Sequence, residues 1–296
     1  MNRREFLKIT GMAGAGAMLP WELQTLAAAV PPDMVIAQGA APQKVTQAAI
    51  EAIGGMRRFI AKGDVVVVKP NIGWDRTPEY AANTNPVVVA TLVGLCLEAG
   101  AKRVKVFDNP VNDARRCYVQ SGIADAARRA GAEVSFADDR KFKDMAVNGE
   151  SLKTWPLYTD IFEADKVINV PIAKTHGLTR LTLGFKNWMG VMGGRRGRIH
   201  FSIDQKLVDV ARVIKPTLTV LDAVRILTDG GPQGGDLRDV KTLGIVAASI
   251  DPVAVDAFGA TLFGLTGNDV GYVKLAQTAG LGTMDFQKLK INRIKL

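Results

Sequence analysis

The stretch DVVVVKPNIG, residues 64–73, decides how the rest of the chain is read. Four consecutive valines leave no polar face, so the segment suits a strand buried on both sides rather than a half-wet one. Pro70 removes an amide donor and stops the run, with Lys69 and Asn71 beside it at the strand's carboxyl end. A strand of this kind belongs in a sheet packed between two layers of helices.

The neighbouring sequence repeats the pattern. MVIAQ (34–38), KRVKVFD (102–108), AEVSF (132–136), ADKVINVPIAK (164–174), TLTVLDAV (217–224) and TLGIVAAS (242–249) read as further short strands. Helix-like segments alternate with them at 43–60, 85–100, 122–131, 202–214, 251–264 and 271–280. The segment 85–100 is the clearest: Asn85 caps it, Pro86 takes the first helical position and Gly100 ends it. MAVNGESLKTWP (145–156) reads as a hairpin turning at Asn148-Gly149. The expected fold is α/β, a mostly parallel mixed sheet covered by helices on both faces. The 296 residues, 47% hydrophobic and 23% charged and without an internal repeat, give room for it as a single domain over residues 30–296.

The first 29 residues are expected to lie outside that domain. NRREFLK (2–8) places Arg3-Arg4 before a short apolar run, and Ala27-x-Ala29 offers a cleavage site. The pattern resembles a twin-arginine signal peptide, which implies export of a folded protein to the periplasm and membrane contact only before cleavage. Removing residues 1–29 takes away three bases (Arg3, Arg4, Lys8) and two acids (Glu5, Glu22), so the formal net charge falls from +9 to +8.

Almost all of that excess sits in one place. No Asp or Glu occurs between Asp165 and Asp204, while seven Lys and Arg do. The span holds both histidines of the chain, His176 and His200. Such a field concentrates anions. An exported protein seldom meets nucleic acid and few aromatics interleave here, so a small carboxylate or phosphate is the expected partner.

In open α/β sheets ligands bind beyond the carboxyl ends of the strands. Those ends are expected at Lys69-Pro70-Asn71, Asp108, Lys174-Thr175-His176, Asp222 and Ser249-Ile250-Asp251. Leu178, Leu181, Phe185, Trp188 and Met192 recur at helical spacing, which would place Lys174 and His176 near a helix N-terminus; the alternation in LTRLTLGF leaves a strand open. The candidate catalytic residues are Lys174, His176, Lys186 and His200. Lys69, Asn71, Thr175, Arg180, Asn187, Arg195, Arg196 and Arg198 are the candidate anion ligands, since ammonium and guanidinium groups grip carboxylate and phosphate. Asp108, Asp222 and Asp256 together could hold a divalent cation, or pair with the lysines. The two cysteines, Cys96 and Cys117, cannot ligate an iron–sulfur cluster by themselves. No Ser-His-Asp order and no paired zinc histidines are present, which removes the usual hydrolase readings.

Several stretches together resemble the domain of unknown function 362 family: VVVKPNIG (66–73), EAGAKRVKVFDNP (98–110), VINVPIAKTHGLTRLTLGFKNWMGV (167–191), LTVLDAVRILTDGGPQGG (218–235) and ASIDPVAVDAFGA (248–260). Many members carry a ferredoxin-like module whose cysteines are absent here, so an electron-transfer role does not come with the resemblance. A shorter pattern, Lys186 and His200 preceded by Lys174-Thr175-His176, resembles the lactate racemase family. That likeness implies a nickel-pincer cofactor attached to the lysine, with the histidine serving the metal. The expected function is an exported enzyme for a small anion. The alternative is an accessory subunit of an exported redox complex, docking an acidic protein through its basic face.

Overall fold

Val66, Val67 and Val68 have no exposed surface, and alternate residues enter two different cores. Val67 belongs to one, Val66 and Val68 to the other, as the two-residue period of a strand requires. The structure, a computed structural model, describes residues 30–296, so the expected export signal at residues 1–29 lies outside the described residues.

The chain runs through β1 (Met34–Gln38), α1 (Pro42–Ala52), β2 (Val65–Pro70), α2 (Pro86–Ala99), β3 (Arg103–Val106), α3 (Ala114–Gln120), α4 (Ile123–Arg129) and β4 (Glu133–Val134). A separate hairpin follows, β5 (Phe142–Ala146) and β6 (Thr154–Tyr158), then α5 (Asp160–Glu163), β7 (Lys166–Val170), β8 (Ile172–His176), β9 (Arg180–Thr182) and α6 (Gly184–Asn187). The last part comprises α7 (Ile203–Val213), β10 (Leu218–Leu227), β11 (Val240–Ser249), α8 (Pro252–Thr261), α9 (Gly271–Thr278) and β12 (Ile291–Lys295).

The main sheet is ordered β12-β1-β11-β10-β7-β2-β3-β4. β10, β7, β2, β3 and β4 are parallel, β8 continues beside β10 in the same sense, and β11 runs against both β10 and β1. The core holding Val66 and Val68 is completed by α1, α2 and α4, and the core holding Val67 by α7, α8 and α9. The fold is therefore the mixed, mostly parallel α/β arrangement with helices on both faces.

The capping signals are realised. The Asn85 side chain accepts a hydrogen bond from the Val87 amide at 2.9 Å, and Gly100 closes α2 at φ +110°. Three expectations need correction. β12 pairs parallel to β1, in a C-terminal region read only as helical. Asp222 lies in the middle of β10 rather than at its end. Because β11 is antiparallel, its end at Ser249 pairs with Thr219 near the start of β10, and the chain leaves it toward the amino ends of the parallel strands, so Ser249-Ile250-Asp251 does not line the cleft described below.

The hairpin forms with a wider turn than a two-residue one. Asn148 is left-handed at φ +51°, and the buried Asp209 carboxylate of α7 accepts the amides of Glu150, Ser151 and Leu152 at 3.0, 2.7 and 2.8 Å. Asp209→Ala is expected to lower stability by about 2–3 kcal/mol, because three amides lose a charged acceptor. Urea unfolding measures this, and an unchanged midpoint would show that the turn holds itself.

Candidate functional site

The carboxyl ends of β2, β3 and β8 open into one cleft of about 380 Å³. β2 leads to Asn71, β3 to Asp108, and β8 contributes Lys174 and His176. β8 and β9 form an antiparallel pair in which Lys174 faces Thr182, so the hairpin brings both to the cleft. Lys186 and Asn187 come from α6, and Arg196 and His200 from the basic loop after it. The expected helix over 178–192 is thus replaced by strand, turn and a short helix starting at Gly184. Lys174 and His176 sit on a strand, not at a helix N-terminus.

Beneath the cleft lies a closed ion pair. Lys69, with no exposed surface, meets Asp108 Oδ1 at 2.8 Å and donates to the Pro70 and Asn187 carbonyls at 2.8 Å and to Asn187 Oδ1 at 3.0 Å. Asp108 also accepts from the Ile72 amide at 2.6 Å and the Asn109 amide at 3.0 Å. Gly190 is required above the pair, since a Cβ there would stand 1.6 Å from Asp108 Oδ1. Asn187 ties the pair to the sheet by donating to Asn169 Oδ1 at 2.8 Å and to the Lys69 carbonyl at 3.2 Å.

The remaining cations differ in how they are held. Lys174, 1% exposed, donates to Asn71 Oδ1 at 3.2 Å and to the Ala82 carbonyl, and lies 5.9 Å from the Trp74 ring centre. Burial, with neighbouring Lys186, pushes its pKa well below the usual range. Arg196 donates to the carbonyls of Asn109 (2.6 Å), Met189 (3.4 Å) and Pro110. Lys186 is 7% exposed and has no hydrogen-bond or ion-pair partner among the described residues. Burial and then Arg196 bring its pKa down to about 8. Thr182 Oγ1, in the same cleft, is buried without a partner too.

His176 accepts a hydrogen bond from the Leu178 amide on Nδ1 at 3.0 Å. That assigns the proton of the neutral ring to Nε2. Burial, Lys186, Lys174 and His200 lower its pKa to about 3, so it is uncharged at neutral pH. His200 is shifted down as well, by burial, Lys186 and Arg196.

Other candidates lie elsewhere. Thr175 alternates away from the cleft and accepts from the Gly231 amide at 3.2 Å. Arg180 pairs with Asp269 at 3.4 Å on the surface, and Arg195 and Arg198 are exposed and do not line the cleft. The proposed carboxylate trio does not converge. Asp222 accepts from the Asn85 and Val224 amides at 2.7 and 3.0 Å, and Asp256 from the Gly184 and Phe185 amides at 2.7 and 2.9 Å. Among the described residues no group of three or more His, Cys, Asp or Glu is gathered in one place. Burial raises Asp222 to about 6 and Asp256 to about 7. Asp256 has a positioning role, since it holds the start of the helix that presents Lys186. Asn169, Trp74 and Gly190 were not anticipated, although a lone asparagine inside VINV (167–170) was a visible anomaly.

A match to the family described as domain of unknown function (DUF362) runs over residues 66–261. The chain belongs to that family. The matched span of this DUF362 protein contains every residue placed in the cleft above. A thylakoid-associated protein of Synechocystis sp. is 31% identical over 216 residues, 70% of this chain and 65% of that one. The chain thus spans slightly less than two thirds of that relative's length. The lactate racemase apoprotein from Thermoanaerobacterium thermosaccharolyticum has a TM-score of 0.49 at 10% identity, covering 77% of this chain and 56% of that one. A Thermotoga maritima protein has a TM-score of 0.39 at 12% identity, covering 81% and 60%. Likenesses at this level do not bear on the chemistry of the cleft.

The two buried lysines respond oppositely to removal. Lys69→Met leaves Asp108 buried without its cation and is expected to cost about 3–5 kcal/mol. Lys186→Met removes an ammonium that has no partner on a largely buried side chain and is expected to raise stability by about 1–3 kcal/mol. The sign with pH follows from a folded pKa of about 8 against an ordinary 10.5. The cost of the ammonium is full below pH 8 and is relieved as pH rises toward 10.5, so the advantage of the variant shrinks over that window. Chemical unfolding at a series of pH values checks both.

Proposed function

We propose that this DUF362 protein is an exported enzyme that binds a small carboxylate or phosphate in the cleft at the carboxyl ends of β2, β3 and β8. The observation that carries the reading is Lys186, a largely buried side chain that lines the cleft with no partner for its amine among the described residues, in the same lining as Thr182 Oγ1, a buried hydroxyl without a partner. Buried polar groups are otherwise paired almost without exception. Among the described residues Asp108 is the sole carboxylate lining the cleft, and Lys69 already neutralises it. Lys186 and Arg196, with Lys174 next to them in the lining, therefore face the cleft without a free carboxylate, and an anion would complete them.

The roles divide by environment. Lys174 and Arg196 are held by carbonyl acceptors and offer N–H donors at fixed positions. His176 presents an Nε2 proton and acts as a neutral donor to a bound oxygen. His200, more exposed and with no hydrogen-bond partner for its ring among the described residues, is the candidate for carrying a proton to and from solvent. The Lys69–Asp108 pair holds the floor. Export rests on the twin-arginine pattern at Arg3-Arg4.

A second reading, docking of an acidic protein, draws on Arg195 and Arg198, which stand exposed outside the cleft. It predicts salt-sensitive co-purification that is lost in an Arg195→Glu, Arg198→Glu variant with anion binding intact.

Phosphate, sulfate and acetate titrated against thermal unfolding test the first reading. Stabilisation is expected at neutral pH, lost in Lys186→Met and Arg196→Ala and retained in Arg180→Ala. Affinity should fall by about tenfold per pH unit above pH 8 as Lys186 loses its proton. No stabilisation by any of the three anions would sink the reading.

A further inference from the structure

We propose that Lys186 is a covalent site: its ε-amine forms a reversible imine with the aldehyde or ketone carbonyl of a small anionic compound, a 2-oxo acid being the simplest case. The inference rests on the anion-site reading and adds the chemistry of its substrate.

Three buried lysines surround the cleft, and they are not equivalent. Lys69 is saturated by Asp108, Pro70 and Asn187, and Lys174 is tied to Asn71 and Ala82. The proton donors of these two nitrogens are directed at acceptors, so both amines are already engaged by the fold. Lys186 has no such acceptor, and no free carboxylate lines the cleft to hold it charged. Burial together with the Arg196 guanidinium lowers its pKa to about 8, so a fraction of this free amine is neutral and nucleophilic near neutral pH. Its backbone is fixed, because Asp256 accepts both Gly184 and Phe185 amides at the start of α6.

The surroundings suit a carbonyl that carries an anionic group. Arg196 directs three hydrogen bonds to carbonyls out of five N–H groups, which leaves two for a carboxylate or phosphate. Thr182 Oγ1 and the Nε2 proton of His176 line the same cleft and are available to the carbonyl oxygen. Surface lysines offer an amine but none of these neighbours.

The step balances without a redox partner. The Lys186 lone pair attacks the carbonyl carbon, a C–N bond forms, and the π electrons move onto oxygen, which takes a proton. Nitrogen loses a proton to give the neutral carbinolamine. The hydroxyl then leaves as water with one further proton, the nitrogen lone pair closes the C=N bond as the iminium, and loss of its N–H proton gives the neutral imine. His200 relays these protons between the cleft and solvent, and one water is released per imine.

The test incubates the full chain with pyruvate or glyoxylate and sodium cyanoborohydride, which reduces an imine to a stable secondary amine, and locates the adduct by peptide mass spectrometry. The expected result is an adduct on Lys186 at least about tenfold above any other lysine, slowed about tenfold by excess phosphate and absent in Lys186→Met. Its rate should climb up to about pH 8 as the amine deprotonates, opposite to the trend for simple anion binding. Absence of the Lys186 adduct while phosphate still stabilises the protein overturns the imine and leaves the anion site standing. Absence of both overturns both. Even labelling of all lysines also overturns the proposal, since it would mean that the cleft confers no reactivity.

Discussion

The Lys69–Asp108 pair is the constraint on which the rest of the site depends. It sits where two parallel strands end side by side, with no exposed surface at Lys69 and almost none at Asp108. A buried charge of either sign by itself would be expensive, so the pair must be complete and fully hydrogen-bonded. It is: amides from residues 72 and 109 satisfy the carboxylate, and carbonyls from residues 70 and 187 satisfy the ammonium. Gly190 follows from the same geometry, because any side chain there would occupy the space of the pair.

Closing that pair has an electrostatic consequence one layer higher. With Asp108 committed below, no carboxylate in the cleft offsets Lys174, Lys186 and Arg196. Lys186 and Thr182 are left with polar atoms that the fold does not satisfy. Asp256 shows the complementary solution, a buried carboxylate fully used in holding two amides and therefore structural.

Much of the fold was legible before any coordinates. The valines of residues 65–68, the Asn85-Pro86 start and Gly100 end of α2, and the asparagine–glycine hairpin are local signals, and each marks the element found. The site was legible in part. Lys69, Asn71, Asp108, Lys174, His176, Lys186, Asn187, Arg196 and His200 converge on the cleft or its floor, while Thr175, Arg180, Arg195, Arg198, Asp222 and Asp256 do not line it. Arg180 and Arg196 looked alike because both are arginines in an acid-free span. Only the turn geometry sends one to Asp269 on the surface and the other under Asn109.

What the sequence by itself determined is the α/β class, most of the elements and the basic character of the span between Asp165 and Asp204. Those properties are local: apolar runs, proline and glycine punctuation, and composition act over a few residues. The tertiary structure alone decided the direction of β11, the place of Asp222 within β10 and the pairing that consumes Asp108. Strand direction and the choice of a charge's partner arise from contacts between segments far apart in the chain. Lys69 and Lys174 are both lysines after apolar strands, and Lys186 is one more base in the same run. That Lys186 is the one left without a partner is a fact of packing.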